Sequence, residues 1–303
     1  MAIPTTDLPA LPSLLVVEYR GKRLTALWRD GRLQRVGRSL DELLEMPVEA
    51  MYHALDETAE PLETDDCSLV APVASQEVWA CGVTYLRSRE ARMEESGSAD
   101  VYARVYGAER PELFFKAAGW RVVGSGGEVG VRPDSKWNVP EPELAVLSNS
   151  RAEVVAYACG NDMSSRSIEG ENPLYLPQAK VYERSCALGP AAVLATVSDP
   201  THARVRMRIE RGGNDVFAGV ASTADMIRDA AELSGVLHSA YPLPHGAWLL
   251  TGTSLVPPST YTARDGDLVQ IEIDGLGRLT NRVSTIRHSG ATAPPRLDRR
   301  REP

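Results

Sequence analysis

The residues that could do chemistry begin with two glutamates, Glu141 and Glu143, set two positions apart at the start of an apolar stretch. In an extended chain, side chains at positions i and i+2 leave the same face, and Pro140 and Pro142 disfavour a helix that would separate them. The two carboxylates are therefore expected to share one small space, where they repel unless a cation neutralises both. A hard divalent cation with oxygen ligands is the natural occupant.

A third carboxylate, Asp162, could complete such a site. Residues 152–158 form the next strand-like stretch, and a hairpin would return Asp162 to the two glutamates. Three anionic ligands would leave positions open on an octahedral ion for a substrate that chelates through two oxygens. The alternative is that the three carboxylates are solvated charges on an edge strand, and residue chemistry alone leaves both interpretations open.

Four further side chains are candidates for binding or proton transfer. Lys116 ends an aromatic stretch and could bind a substrate carboxylate, although a lysine there commonly extends to solvent. Glu112, four residues earlier, could transfer a proton. Lys180 ends an irregular polar loop, 169–180, that is either functional or merely exposed; buried beside a metal-bound enolate, it could act as a base. Thr253 could offer its hydroxyl to a carboxylate, or it could belong to an ordinary turn.

The elements that must position these residues are mostly strands, which predicts a mostly β core with a mixed sheet. Residues 1–72 predict a small N-terminal α/β domain with a helix capped by Ser39. Residues 73–288 would form the catalytic domain, and residues 289–303, rich in proline and arginine, are predicted to be a disordered tail. The other predicted elements are strands at 14–19, 24–28, 78–83, 113–116, 204–210 and 268–273 and a helix at 223–237.

The composition excludes several functional classes. The net charge of -8 over 303 residues argues against binding to nucleic acid or to an anionic membrane surface. We expect no membrane span and no signal peptide. The four cysteines are scattered without a CxxC pair, which argues against zinc and disulfides and favours a reducing cytoplasm. The glycine-rich run 124–127 lacks the spacing of a dinucleotide-binding fingerprint, and no GxSxG nucleophile motif is present.

Several motifs, taken in this order, resemble the fumarylacetoacetate hydrolase family. They lie at residues 82–85, 140–146, 160–166, 177–180, 188–190 and 251–253. The resemblance implies a distorted β-roll around a divalent metal, usually Mg²⁺, although Mn²⁺ or Ca²⁺ would suit the same ligands. It assigns Glu141, Glu143 and Asp162 as metal ligands, Lys180 as a substrate-contacting lysine and Thr253 as a carboxylate-binding threonine. It also implies a homodimer or homotetramer.

One departure from the family pattern bears on the reaction. Hydrolytic members carry a histidine and then a glutamate on a short lid helix, and here the histidine position is Ser88. The stretch instead resembles a subgroup that dehydrates 2-keto-3-deoxy sugar acids. We therefore expect a Mg²⁺-dependent hydro-lyase acting on a 2-keto-3-deoxypentonate to give 2,5-dioxopentanoate through a metal-stabilised enolate. Lys180 is our first candidate for proton transfer and Glu112 the second, while Ser88, Arg89 and Glu90 would contact the substrate.

Two other functions remain as alternatives. The first is a C–C hydrolase acting on acylpyruvates, or an oxaloacetate-type decarboxylase, on the same fold. This alternative uses the same metal and the same enolate, so the metal ligands do not distinguish it from a dehydratase. Glu143, one of these ligands, is also assigned to catalysis. The replacement at Ser88 weighs against it. The second is a sugar-acid-binding protein without catalysis, and the presence of all three ligands and of Lys180 weighs against that.

Overall fold

The computed structural model describes residues 3–57, 60–86 and 104–287. The strands bounded in this part, β1 to β18 in chain order, are Ser13–Tyr19, Lys22–Arg29, Arg32–Arg35, Glu60–Leu62, Cys67–Val70, Glu77–Gly82, Glu112–Ala118, Glu128–Val131, Asn138–Val139, Pro142–Ser148, Val154–Asp162, Ser164–Ser165, Cys186–Leu194, Arg204–Arg211, Asn214–Ser222, Ala247–Leu250, Leu268–Ile273 and Gly277–Thr285. The helices bounded there, α1 to α5, are Leu40–Leu44, Val48–Asp56, Arg166–Glu171, Leu176–Lys180 and Ala230–His238. Short 3-10 turns lie at Thr5–Asp7, Thr64–Asp66, Gly119–Arg121, Pro173–Tyr175, Pro200–His202 and Thr223–Asp225.

The candidate site belongs to an eleven-stranded mixed sheet. Its order is β4-β3-β2-β1-β13-β11-β10-β16-β6-β7, and β5 also pairs with β1. Within this sheet β16 and β6 run parallel, whereas β10 lies antiparallel to both β11 and β16. The predicted mixed, mostly β architecture is confirmed.

The strands of the first 72 residues extend this same sheet, because β1 pairs with β13 through Ser13 and Leu14. A division of the chain at residue 72 stays a prediction. The predicted tail, 289–303, lies outside the described residues.

A five-stranded sheet, β15-β14-β17-β18-β8, covers one face of the large sheet. A buried apolar cluster joins them, with Leu144, Val146 and Cys159 from the large sheet and Ile271 and Leu279 from the smaller one. The other face of the large sheet packs against α1 and α2. Because both faces are covered, every residue of β10 is buried, whereas β17, with one face towards solvent, alternates between buried and half-buried residues.

The hairpin between β10 and β11 sets the position of the candidate ligands. Its turn is held by Asn149, whose side-chain carbonyl accepts the N–H groups of Arg151 and Glu153, each at 3.0 Å. In the resulting register Glu143 lies opposite Gly160 and Pro142 lies opposite Asn161. The hairpin predicted from the sequence is therefore present, and it brings the end of β11 back to the start of β10.

Two predicted helices have different outcomes. Ser39 caps α1 through a reciprocal bond pair with Glu42, as predicted. The helix predicted over 223–237 is shorter, because its first residues form a 3-10 turn and α5 begins only at Ala230. Asp229 causes this start, since its carboxylate accepts the backbone N–H groups of the first turn and caps the helix there. Among the described residues, none of the helices has the length and hydropathy that a membrane span requires.

Candidate metal centre and active site

Three buried carboxylates converge where β10 begins and β11 ends. One ligand oxygen from each of Glu141, Glu143 and Asp162 lies within 4.8 Å of the others. The three residues are 3%, 2% and 1% exposed. The backbone N–H of Asp162 donates to the carbonyl of Glu141 at 2.9 Å, which locks the end of one strand to the start of the other. The interpretation as solvated charges on an edge strand is therefore wrong, because water does not reach these side chains.

Three buried cations accompany these carboxylates. The ammonium of Lys180 donates to Glu141 Oε2 and to Asp162 Oδ2, each at 2.8 Å. Arg166 Nη2 lies 2.9 Å from Glu141 Oε1, and Lys116 Nζ lies 2.5 Å from Asp162 Oδ1. Three formal negative charges thus face three positive ones in a space with almost no solvent. A buried set of this kind persists only when its charges are paired.

Glu143 has the least charge compensation of the three carboxylates. Its Oε2 accepts the backbone N–H of Gly252 at 2.7 Å. Burial raises the pKa of Glu143 well above its ordinary value, the negative charges of Asp162 and Glu141 raise it further, and Lys180 opposes this shift. An additional cation beside Glu143 would favour its ionised form. The number, oxygen chemistry and burial of these donors therefore fit a hard divalent ion such as Mg²⁺.

Lys180 is the last residue of α4 and is only 1% exposed. The stretch that we predicted as an irregular loop is instead α3, a 3-10 turn and α4. Asn172 starts the 3-10 turn by accepting the N–H of Leu174 at 2.9 Å. Pro173 lies in the first turn of this 3-10 turn, and Pro177 lies in the first turn of α4. These short helical turns direct the lysine inward, so the alternative of an exposed lysine is wrong.

A cavity opens above the carboxylates. It is lined by Cys81, Gly82, Val83, Glu112, Phe114, Glu141, Glu143, Asp162, Arg166, Glu169, Leu176, Lys180, Gly252 and Thr253. The candidates Glu112, Lys180 and Thr253 therefore face one space together with the three ligands. The carboxylate of Glu112 lies directly against the Cα of Gly82, where any Cβ would clash with it. The hydroxyl of Thr253 is already engaged with Leu255 in a small turn, so this residue lies both in a turn and at the cavity.

Other predicted site residues are placed differently. Lys116 is completely buried and is absent from the residues that line this cavity in the described part of the chain. Its ammonium faces Asp162 and two backbone carbonyls, which does not agree with our assignment to a substrate carboxylate or with a solvent-exposed lysine. The predicted substrate contacts Ser88, Arg89 and Glu90 lie outside the described residues.

Sequence reasoning missed three residues of the centre. Arg166 contacts Glu141, Gly252 donates to Glu143, and Thr84 donates its hydroxyl to the carbonyl of Thr251 at 2.5 Å. All three lie inside the motifs that carried the family resemblance, and that was the available signal. Their roles depend on contacts between residues distant in sequence.

The comparisons with known proteins agree with this geometry. The family profile described as fumarylacetoacetate (FAA) hydrolase, C-terminal, matches residues 78–284, and the chain belongs to this family. A protein of Haloferax volcanii named "Probable 2-keto-3-deoxyxylonate dehydratase" is 49% identical over 222 residues, which cover 73% of this chain and 76% of that protein. The "2-dehydro-3-deoxy-D-arabinonate dehydratase" of Saccharolobus solfataricus is 38% identical over 230 residues, covering 74% of this chain and 77% of that protein.

A solved structure extends the likeness to the whole fold. It is described as 2-keto-3-deoxy-D-arabinonate dehydratase complexed with magnesium and 2,5-dioxopentanoate. It superposes with a TM-score of 0.80 at 31% identity and covers 91% of this chain and all of the other. The family and fold expected from the sequence motifs are thereby confirmed.

Proposed function

We propose that this protein is a Mg²⁺-dependent dehydratase that converts a 2-keto-3-deoxypentonate into 2,5-dioxopentanoate. The observation that carries this proposal is the buried trio of Glu141, Glu143 and Asp162 beside Lys180, in a cavity that also contains Glu112. The named relatives support the substrate class, because two dehydratases of 2-keto-3-deoxy sugar acids cover most of this chain.

The metal would be held by the three carboxylates, whose oxygens are the donors that Mg²⁺ prefers. Bound there, Mg²⁺ supplies Lewis-acid polarisation of a keto oxygen, which acidifies the neighbouring carbon and stabilises an enolate. The described residues contribute no thiolate or imidazole to this donor set, which favours a hard ion over zinc.

The chain's own residues account for the proton transfers. Loss of one C3 proton and of the C4 hydroxyl releases one water and leaves a C3=C4 enone that still carries the C5 hydroxyl. Transfer of a proton from C5 to C3 then gives the C4=C5 enol, and tautomerisation of this enol gives the C5 aldehyde of 2,5-dioxopentanoate. Lys180 is our first candidate to take the C3 proton, a role that its unprotonated amine would perform, since its Nζ lies at the cavity beside two carboxylates. Glu112, at the same cavity, is the candidate to protonate the departing hydroxyl. The hydroxyl and backbone around Thr253 are the candidate contacts for the substrate carboxylate.

Apolar side chains also line the cavity that holds the carboxylates. They belong to Val83, Phe114 and Leu176. Exclusion of water strengthens the interaction of an enolate with the buried cations and limits loss of the enolate to bulk solvent.

Product analysis tests the proposal directly. Purified protein is incubated with Mg²⁺ and 2-keto-3-deoxypentonate, and 2,5-dioxopentanoate is quantified. We expect formation of this product and no cleavage of acetylpyruvate. Efficient cleavage of acetylpyruvate without 2,5-dioxopentanoate would replace the dehydratase assignment with the C–C hydrolase alternative.

A ligand substitution tests the metal site separately. Glu143→Gln keeps the side-chain volume and removes one anionic oxygen, so we expect Mg²⁺ affinity to fall by about 10- to 100-fold. Calorimetric titration of the protein with MgCl₂ measures this without substrate. Unchanged Mg²⁺ affinity in the variant would show that these carboxylates are not the ligands. Lys136→Gln, which lies at the surface, is the matched control.

We also propose a cytoplasmic location and a homodimeric or homotetrameric state. The location is supported by four free, buried cysteines within the described residues. The oligomeric state is supported by large exposed apolar side chains, among them Leu174 at 84% and Trp120 at 72% exposed. Light scattering coupled to size-exclusion chromatography tests the assembly, and a monomer mass near 33 kDa at micromolar concentration would contradict it.

A further inference from the structure

Lysine is rare in this chain and concentrated at its centre. Only four of the 33 basic residues are lysines, namely Lys22, Lys116, Lys136 and Lys180. Lys116 and Lys180 are buried beside the carboxylates, whereas Lys22 and Lys136 are exposed. Arginine fills nearly all other cationic positions, so the use of lysine at 116 calls for a physical reason.

The ammonium of Lys116 has three oxygen neighbours, two backbone carbonyls and one carboxylate oxygen. Its Nζ lies 2.5 Å from Asp162 Oδ1, donates to the carbonyl of Met163 at 3.0 Å and donates to the carbonyl of Lys180 at 2.5 Å. The ring of Tyr182 lies 5.8 Å away and closes another side. The ammonium thus donates two hydrogen bonds to backbone carbonyls and forms an ion pair with Asp162, so its neighbours are groups of the protein itself.

These contacts join three elements that carry the site. Lys116 extends from β7, Asp162 and Met163 lie at the end of β11, and Lys180 ends α4. The carbonyl of Lys180 is at a helix C-terminus, where backbone carbonyls lack intrahelical donors and favour a nearby cation. Lys116 therefore supplies the donor that this helix end needs and, with the same group, orients the carboxylate of Asp162.

We propose that Lys116 is a positioning residue for the dehydration, an inference that rests on the function proposed above. Each oxygen of Asp162 faces a different lysine, Oδ1 towards Lys116 and Oδ2 towards Lys180. Lys116 thus holds the metal ligand and the backbone of the proton-transfer residue in one geometry without touching the substrate. Its loss changes how the ligand and Lys180 are held, and leaves the substrate contacts in place.

The choice of lysine over arginine follows from the shape of the space. A compact ammonium can direct three bonds to three acceptors that surround one point. A planar guanidinium spreads five donors over a wider fork and does not fit acceptors on three sides of a single nitrogen. We therefore expect Lys116→Arg to retain the buried charge and the fold, yet not to restore full activity.

The test separates positioning from substrate binding through kinetics and metal titration. Lys116→Met keeps the length and removes the charge, and Lys136→Met at the surface is the matched control. For Lys116→Met we expect Mg²⁺ affinity, measured by calorimetry without substrate, to fall by about 10- to 100-fold. At saturating Mg²⁺ we expect kcat to fall by a similar factor, with KM for 2-keto-3-deoxypentonate changed by less than about threefold, because a residue without substrate contact adds no uniform binding.

The opposite pattern would overturn this inference. A KM raised by about tenfold or more, with kcat and Mg²⁺ affinity unchanged, is the result expected of a substrate-carboxylate contact. If Lys116→Met does not fold, Lys116→Arg decides the question: a reduced kcat at unchanged KM supports positioning, and wild-type kcat and Mg²⁺ affinity contradict it. Wild-type protein that binds Mg²⁺ but makes no 2,5-dioxopentanoate would refute the proposed function, and the Mg²⁺ titrations of the variants would still test Lys116.

Discussion

Gly252 offers the sharpest test of how backbone geometry controls a candidate ligand. Its φ of +89° lies in the left-handed region, and its N–H donates to Glu143 Oε2 at 2.7 Å. A Cβ at this position would lie well inside contact distance of the Thr84 hydroxyl oxygen and 3.4 Å from the carbonyl oxygen of Cys81. Thr84 is buried, and its hydroxyl donates to the carbonyl of Thr251. Gly252→Ala therefore strains the backbone and displaces a buried hydrogen bond in one step.

The magnitude follows from these two effects. A left-handed conformation costs a residue with a Cβ about 1–2 kcal/mol. Displacement of the Thr84 hydroxyl loses a hydrogen bond of about 1 kcal/mol. We expect Gly252→Ala to lower the free energy of unfolding by about 2–3 kcal/mol and the Tm by roughly 5 °C or more. Since its N–H orients Glu143, we also expect Mg²⁺ affinity to fall by about tenfold.

A double-mutant cycle with Thr84→Ala measures the coupling. Urea unfolding followed by circular dichroism is recorded for the wild type, the two single variants and the double variant. Thr84→Ala alone removes the bond to Thr251, whereas in the Gly252→Ala background that bond is already disturbed. We expect the second substitution to be less destabilising there by about 1 kcal/mol. Gly235→Ala is the control, because Gly235 is exposed in α5 with no atom within 4 Å of an added Cβ, and alanine there should stabilise the helix by up to about 1 kcal/mol.

Additivity would refute this reasoning. If the two substitutions add within about 0.5 kcal/mol, Thr84 and Gly252 do not share the contact described above. An unchanged Mg²⁺ affinity in a folded Gly252→Ala protein would separately refute the role of this N–H in orienting Glu143.

Three further outcomes are expected. Burial lowers the pKa of His238, whose Nε2 lies 2.9 Å from the Ser148 hydroxyl, so its neutral form contributes stability that is complete above a pH of about 6.5 and is lost as the pH falls below that value. Between pH 7 and 5, the free energy of unfolding in urea should therefore decrease less for His238→Gln than for the wild type, and an equal decrease in both proteins would contradict this. Gly82→Ala should push the Glu112 carboxylate aside and lower kcat by about 100-fold without unfolding the protein, and an unchanged kcat would remove Glu112 from the mechanism. Lys180→Arg keeps a buried cation but removes the amine nitrogen that could accept a proton, so kcat should fall by at least about 100-fold, and near-wild-type turnover would exclude Lys180 as the base.

The sequence was most informative about short segments of the chain. The spacing of Glu141 and Glu143 predicted a shared face, and the strand-like stretch after them predicted the hairpin that returns Asp162. Both predictions concern short segments whose neighbours along the chain decide the outcome. The helix over 223–237 was predicted too long because the apolar pattern was read without the Asp229 cap, which starts α5 seven residues later.

Lys116 shows the limit of such reasoning. An aromatic stretch ending in a lysine predicts either a solvent-exposed ammonium or a substrate contact, whereas in the structure this ammonium is buried and Lys116 is not among the described residues that line the cavity. Its three oxygen neighbours belong to Asp162, Met163 and Lys180, which are 46 to 64 residues away in the sequence. No pattern around position 116 contains that information.

By itself, then, the sequence determined several strands, among them β1, β2 and β14, and the shared face of Glu141 and Glu143, because strand alternation and i, i+2 spacing are properties of neighbouring residues. The family followed from the order of its motifs along the chain. Only the tertiary structure decided that the three carboxylates are buried, that Lys180 and Arg166 form ion pairs with them, and that Lys116 forms an ion pair with Asp162. The physical reason is that burial and charge pairing depend on which distant strands lie side by side. In this protein, the pairing of β10 with β11 and the packing of α4 against β7 and β12 make those contacts.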